Sequence, residues 1–230
     1  MTQFLRRLKR WVRSKRRSAI PLRLMETIQK GALDYTYKGV PTLKNPFDLA
    51  LYQLLLWELK PATILEIGPH QGGSTLWLAD MARTAGLDCR IHAVDLQPVV
   101  GIAAPGVTFH VGDARALERT FAAQFMRDVR HPLLVIEDAD HQAETTLKVL
   151  RFFAPWLAPG DYMVIEDGMV GDIGIAHRYG GGPCVAIERF IAEEAGRYEI
   201  DRRYCDWYGR NVTWNVNGYL RRTDAAAEAA

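Results

Sequence analysis

Thr63-Ile64-Leu65-Glu66-Ile67-Gly68-Pro69-His70-Gln71-Gly72-Gly73-Ser74 joins a short apolar run to a cluster of glycines. Its opening, Thr63 to Ile67, reads as a short buried strand; glycines then crowd together before helical periodicity sets in from Ser74 to Ala85. A strand that runs directly into a glycine-rich turn and a helix brings backbone N–H groups close to a ligand. The turn alone does not name the ligand, because dinucleotide-binding proteins share it. Two details depart from their Gly-x-Gly-x-x-Gly fingerprint: His70 stands where the second glycine would, and the acid Glu66 precedes Gly68 by two residues. An acid there suits a ligand that carries an ammonium group. Glu66, Gly68, Gly72 and Ser74 are therefore the expected cofactor contacts of this turn.

Outward from this turn, short apolar runs alternate with helical periodicity, the pattern of a parallel sheet covered by helices on both faces. Further strands are expected at Arg90–Asp95, Val107–Val111, Leu133–Glu137 and Tyr162–Glu166, with helices at Leu117–Arg127 and Glu144–Phe153 between them. Upstream, Phe47–Leu59 reads as a helix, with Lys44-Asn45-Pro46 as its polar lead-in and proline start. The segment from Gly168 to Pro183 is too glycine-dense for a helix and reads as a lid over a site. A helix at Val185–Ala195 and two last strands, Glu199–Tyr204 and Val212–Val216, joined across Gly209-Arg210-Asn211, complete the expectation. The sum is an α/β fold with a seven-stranded, mostly parallel sheet and a C-terminal antiparallel hairpin. The aromatic residues Tyr204, Trp207, Tyr208 and Trp214 in this last part are expected in core or interface packing.

The strand ends carry the chemistry. The second strand ends at Asp95, where a carboxylate can accept hydrogen bonds from both ribose hydroxyls. The third is followed by Gly112-Asp113-Ala114, where Asp113 can receive an adenine amino group and Ala114 borders the same place. Each acid has an ordinary alternative: Glu66 paired with an arginine, Asp95 capping a helix, Asp113 in a turn. The fourth strand ends in Glu137-Asp138-Ala139-Asp140-His141 and the fifth in Glu166-Asp167-Gly168. Two acidic ends at one edge of a parallel sheet repel each other unless a cation lies between them. Hard carboxylate oxygens without cysteine favour Mg2+ or Mn2+. The plain alternative is that both ends are solvated. His141 follows Asp138 by three residues, and its ordinary pKa of ~6.5 suits proton removal near neutrality; a lone histidine is otherwise more often structural.

Composition sets the outer bounds. A chain of 230 residues that is 48% apolar can bury one full core. No run of apolar residues is long enough for a membrane span, and the N-terminus lacks the apolar core of a secretory signal, so a cytoplasmic protein is expected. Cys89, Cys184 and Cys205 are too few and too scattered for a disulfide framework or a metal knuckle. The net charge of +2 hides an asymmetry. Residues 1–25 hold nine Lys and Arg and no acid, which leaves 20 basic against 27 acidic residues, a net of −7, for the rest. Residues 1–36 read as a basic helical arm that can touch anionic surfaces, 37–222 as the main domain and 223–230 as a disordered tail.

The segments Gly39-Val40-Pro41, Lys44-Asn45-Pro46-Phe47-Asp48-Leu49, Glu66 to Ser74, Glu137 to His141, Glu166-Asp167-Gly168, Gly182-Pro183 and Asn217-Gly218-Tyr219-Leu220 together carry a family resemblance. From Tyr37 to Arg222 the chain resembles the cephalosporin hydroxylase and rhamnosyl O-methyltransferase family, which is related to the metal-dependent catechol and caffeoyl-CoA O-methyltransferases. The resemblance implies a Rossmann-like class I methyltransferase fold, with S-adenosylmethionine (SAM) held by Glu66, Gly68, Asp95 and Asp113. It further implies a divalent ion on Asp138, Glu166 and Asp167, Asp140 behind them, and His141 where the catechol relatives place a lysine base. Catalysis would then rest on Asp138 and His141. Glu166-Asp167 replaces the Asp-Asn of the catechol enzymes, which points to a sugar or other natural-product hydroxyl as methyl acceptor. A homo-oligomer is expected. A nucleic-acid methyltransferase is opposed by the net −7 of the body and by Asp138-Ala139-Asp140-His141 where base-methylating enzymes carry an Asn/Asp-Pro-Pro-aromatic turn. A non-catalytic subunit of the same fold is opposed by the full set of ligand and base residues.

Overall fold

The computed structural model describes residues 16–224. Residues 1–15 of the expected basic arm and residues 225–230 of the expected tail lie outside the described residues. From Arg16 onward the N-terminal stretch packs on the body. Helix α1 (Leu22–Asp34) and Ile20 place Ile20 and Met25 in a cluster with Met169, Cys184, Trp214 and Val216. A small ribbon, β1 (Thr36–Tyr37) with β2 (Val40–Pro41), follows, and then helix α2 (Pro46–Leu59). The start of α2 is built as its sequence demands. Asn45 accepts hydrogen bonds from the Phe47 and Asp48 amides, and Pro46 opens the first turn.

The main sheet contains β3 (Thr63–Ile67), β4 (Arg90–Asp95), β5 (Val107–Val111), β6 (Leu133–Glu137), β7 (Tyr162–Ile165), β8 (Tyr198–Ile200) and β9 (Tyr219–Arg222), in the order β5-β4-β3-β6-β7-β9-β8. The first five run parallel and the last two pair antiparallel. All five residues of β3 and of β6 are buried, because helices cover both faces. Alternation then sorts the side chains. Leu65, Leu133 and Val135 face one core, packed by α5 (Ala143–Phe153) and α6 (Pro183–Glu193), whereas Ile64, Leu134 and Ile136 face the other, packed by α2 and α3 (Gly73–Thr84). Connections leave β3 toward β4 and leave β6 toward β7, so the sheet reverses direction between β3 and β6. A crevice opens at the carboxyl ends of the strands there.

Three expectations need correction. The final pair is β8 with β9, not Glu199–Tyr204 with Val212–Val216. After Ile200, Asp201 caps a turn of helix, α7 (Arg202–Cys205), through the Arg203 amide. The Val212–Val216 segment forms no strand because buried Asp48 takes its polar groups, the Thr213 hydroxyl and the Trp214 amide, and because Asn211 and Asn217 flank it at positive φ. The helix expected at Leu117–Arg127 is broken into a 3-10 stretch (Ala114–Arg119) and a short α4 (Ala123–Arg127), since Asp113 caps a turn and Ala116 leaves helical geometry. The glycine-dense segment after β7 is also not free of helix: it winds into 3-10 turns at Gly168–Gly171 and Ala176–Tyr179. Of the aromatic residues, Tyr204 and Trp214 are buried, and Trp207 and Tyr208 are exposed.

Candidate active site

A cavity of about 530 Å³ lies over the carboxyl ends of β3 to β7. Its floor on one side is the turn after β3. Gly68 has φ +90, its amide donates to the Val94 carbonyl at 2.9 Å, and a side chain there would meet the Asp138 carbonyl oxygen at 2.2 Å. Only glycine lets the ends of β3 and β6 approach this closely. Gly72, at φ +84, closes the turn against Val99 and starts α3. Asp95 is held by the His70 amide at 3.0 Å and the Gln97 amide at 3.2 Å, and it faces the cavity together with Gly68, Asp113 and Ala114. Hydrogen bonds from Arg115 keep the Asp113 carboxyl below the usual carboxylate range. Glu66 and Ser74 sit behind this surface. Glu66 is fully buried, accepts from Ser74 Oγ at 2.6 Å and from the Thr75 hydroxyl, and burial raises its pKa despite these partners.

The other side of the cavity is acidic. Asp138, His141 and Asp167 have ligand atoms all within 4.8 Å of one another. His141 Nε2 lies 3.2 Å from Asp167 Oδ2, and its Nδ1 lies 3.9 Å from Asp138 Oδ1. Burial lowers the His141 pKa, but Asp167 and Asp138 outweigh that and hold it above the ordinary value. Asp167 and His141 both adopt positive φ, +53 and +57, a conformation that costs a non-glycine residue about 1–3 kcal/mol and that clusters at functional sites. Asp140 supports the loop from behind, accepting from Thr145 Oγ1 at 3.0 Å and the Gln142 amide at 3.0 Å. Tyr179 packs edge-on against the His141 ring at 5.8 Å.

Glu166 lines the same cavity but turns its carboxylate inward, to Tyr52 at 2.7 Å and to Lys44 Nζ at 2.7 Å. Lys44 also reaches Asp138 Oδ2 at 2.5 Å. The cation that two acidic strand ends require is thus supplied in part by the chain itself. Burial pulls the Lys44 pKa down, yet Asp138 and Glu166 more than compensate and hold it well above the ordinary lysine value. Neither Lys44 nor Tyr52 was expected at the site. The signal for Lys44 was the demand for a cation, but the residue lies 94 positions before Asp138, and only its role as helix lead-in shows locally. Gln29 and Leu33 of α1, with Leu43, add to the wall and were likewise missed, whereas Met169, Ile173, Ile175 and Tyr179 come from the segment expected over the site.

The residues fit a divalent ion. Asp138 and Asp167 are oxygen donors gathered with His141 at the cavity, and Glu166, whose two oxygens are bonded to Lys44 and Tyr52, lines it beside them. They also fit SAM on the opposite side, where Gly68 and Ala114 line the cavity and two carboxylates, Asp95 and Asp113, stand at the ends of β4 and β5.

Comparison with known proteins agrees with this geometry. Residues 29–223 match the family model described as Rhamnosyl O-methyltransferase/CmcI. A rhamnosyl O-methyltransferase of Mycobacterium leprae (strain TN) is 29% identical over 199 residues, which cover 81% of this chain and 82% of that protein. Among solved structures, apo CmcI superposes with a TM-score of 0.68 at 30% identity, covering 84% of this chain and 78% of that one. CmcI with Mg and SAM gives 0.66 at 29% identity, covering 83% and 77%. An O-methyltransferase from Bacillus cereus, at 21% identity and a TM-score of 0.50, shares the fold. The chain belongs to the Rhamnosyl O-methyltransferase/CmcI family of class I methyltransferases.

Proposed function

We propose that this protein transfers the methyl group of SAM to a hydroxyl of a small molecule, a sugar or other natural-product acceptor, with Mg2+ or Mn2+ at the acidic end of the cavity. The observation that carries the reading is the single cavity shared by the Gly68, Asp95 and Asp113 side and by the Asp138, Asp167 and His141 side. The relatives' names support it: rhamnosyl O-methyltransferases in one case, and CmcI with Mg and SAM in the other.

Gly68, Asp95, Asp113 and Ala114 would line the SAM side directly, with Glu66, Gly72 and Ser74 shaping the turn beneath it. Asp138, Glu166 and Asp167 would hold the ion. When bound, the ion stabilises negative charge that develops on the acceptor oxygen. His141 takes the acceptor proton at Nδ1, because Asp167 lies nearer to Nε2 and fixes that nitrogen as the protonated one. Holding acceptor and methyl donor in one cavity supplies much of the rate, since aligned partners reach effective molarities on the order of 10⁵ M or more.

Treatment with EDTA is expected to remove activity that Mg2+ or Mn2+ restores; full activity in EDTA with purified acceptor would refute the metal role. His141→Gln is expected to lower kcat by roughly 10²- to 10⁴-fold, the usual worth of a general base, with SAM affinity retained. Unchanged kcat would remove His141 from the proton path.

A further inference from the structure

Lys44 has no place in the chemistry set out above, yet it is among the most constrained charged residues described. Its side chain is 7% exposed, and its ammonium bridges Asp138 Oδ2 and Glu166 Oε2 at 2.5 and 2.7 Å. Its position is not left to a flexible stem. Asn45 and Pro46 anchor the next residues as the start of α2, and Tyr52, one and a half turns further on, takes the other Glu166 oxygen at 2.7 Å. One helix start therefore ties together the ends of β6 and β7. Glu66, the next carboxylate, is occupied by Ser74 and Thr75.

We propose that Lys44 is a positioning residue that sets the charge of the metal site: as a built-in counter-ion shared by Asp138 and Glu166, it offsets part of their charge and keeps ion binding reversible. The inference rests on the metal reading above. A cation fixed against two donors competes with any incoming ion for them, and repels it. Without Lys44 the same edge would hold three close carboxylates, with His141 beside Asp167 and Asp138 but no cation against Glu166. The empty site would then be strained by like charges, and a divalent ion would be held more tightly.

The test is Mg2+ titration by calorimetry, with thermal melting, on the metal-free full chain and on Lys44→Met. The variant is expected to bind Mg2+ at least about tenfold more tightly than the parent. Without metal it melts at a lower temperature, and Mg2+ raises its melting point by more than it raises the parent's. A purely structural lysine would lower both melting points equally and leave the affinity unchanged; that result overturns the proposal. Should Lys44→Met fold only when Mg2+ is present, the proposal stands. Should it fold in neither condition, the double variant Lys44→Met with Glu166→Gln, which restores the net charge, decides. Recovered folding supports the charge role, and continued failure overturns it. Absence of Mg2+ binding by the parent chain refutes the metal reading itself, whereas parent binding with an unaltered Lys44→Met affinity refutes only the role of Lys44.

Discussion

Asp138→Asn is expected to reduce kcat/KM by at least about 100-fold while SAM binding, measured by calorimetry, stays within a few-fold of the parent. The substitution keeps the shape of the side chain and removes its charge. Asp138 faces Lys44 through Oδ2 and His141 through Oδ1, and it lines the cavity. Asp138 would be one of the residues that hold the ion, which would supply charge stabilisation at the acceptor oxygen; each 1.36 kcal/mol lost is a factor of ten in rate. Lys44 stays paired with Glu166 in the variant, so the fold has a reason to survive. Unaltered turnover would take Asp138 out of the reaction. Loss of SAM binding together with turnover would instead show that the variant had collapsed the turn beneath the cofactor side.

The second large effect falls on the backbone. Gly68→Ala is expected to destabilise the protein by at least about 3 kcal/mol, or to prevent its accumulation in folded form, as read by denaturant unfolding. A residue with a side chain at φ +90 already costs about 1–3 kcal/mol. The added methyl would also lie 2.2 Å from the carbonyl oxygen of Asp138, and that backbone is pinned by the Asp138 amide donating to the Ile67 carbonyl at 2.8 Å. Neither strand can retreat without opening the sheet where all five parallel strands depend on β3 and β6. A melting point unchanged by this substitution would mean that the turn relaxes, and that the close approach of the two strand ends is not a requirement of the fold.

The parallel strands were legible because the physics that makes them is local. A strand covered on both faces must be apolar at consecutive positions, so Thr63–Ile67 and Leu133–Glu137 stand out against polar turns, while Arg90–Asp95 and Val107–Val111, toward the sheet edge, mix apolar with polar residues; the structure keeps all four bounds. Tyr162–Glu166 ends one residue early, at Ile165. The C-terminal part misled because alternation of apolar residues in Val212–Val216 has the look of a strand. Its true organiser is Asp48, a buried acid on α2 whose hydrogen bonds hold Thr213 and Trp214 in a folded loop and leave β9 to begin at Tyr219. Propensity cannot see a partner 165 residues away.

The candidate site divides in the same way. That acids stand at the ends of β4, β6 and β7 follows from the order of residues alone, since a parallel sheet brings all its carboxyl ends to one edge. Which of those acids face a ligand, and which are spent on the interior, depends on side-chain directions that no spacing encodes. Glu66 faces Ser74 and Thr75 beneath the turn, Glu166 lines the cavity while bonded to Lys44 and Tyr52, and Asp138 with Asp167 and His141 faces the cavity. Residue order alone carries the five parallel strands, the glycine turn and the need for positive charge between two acidic strand ends. That Lys44 meets part of that need follows only from the folded chain, because an ammonium finds its carboxylates through packing of α2 on the sheet and not through nearness in the chain.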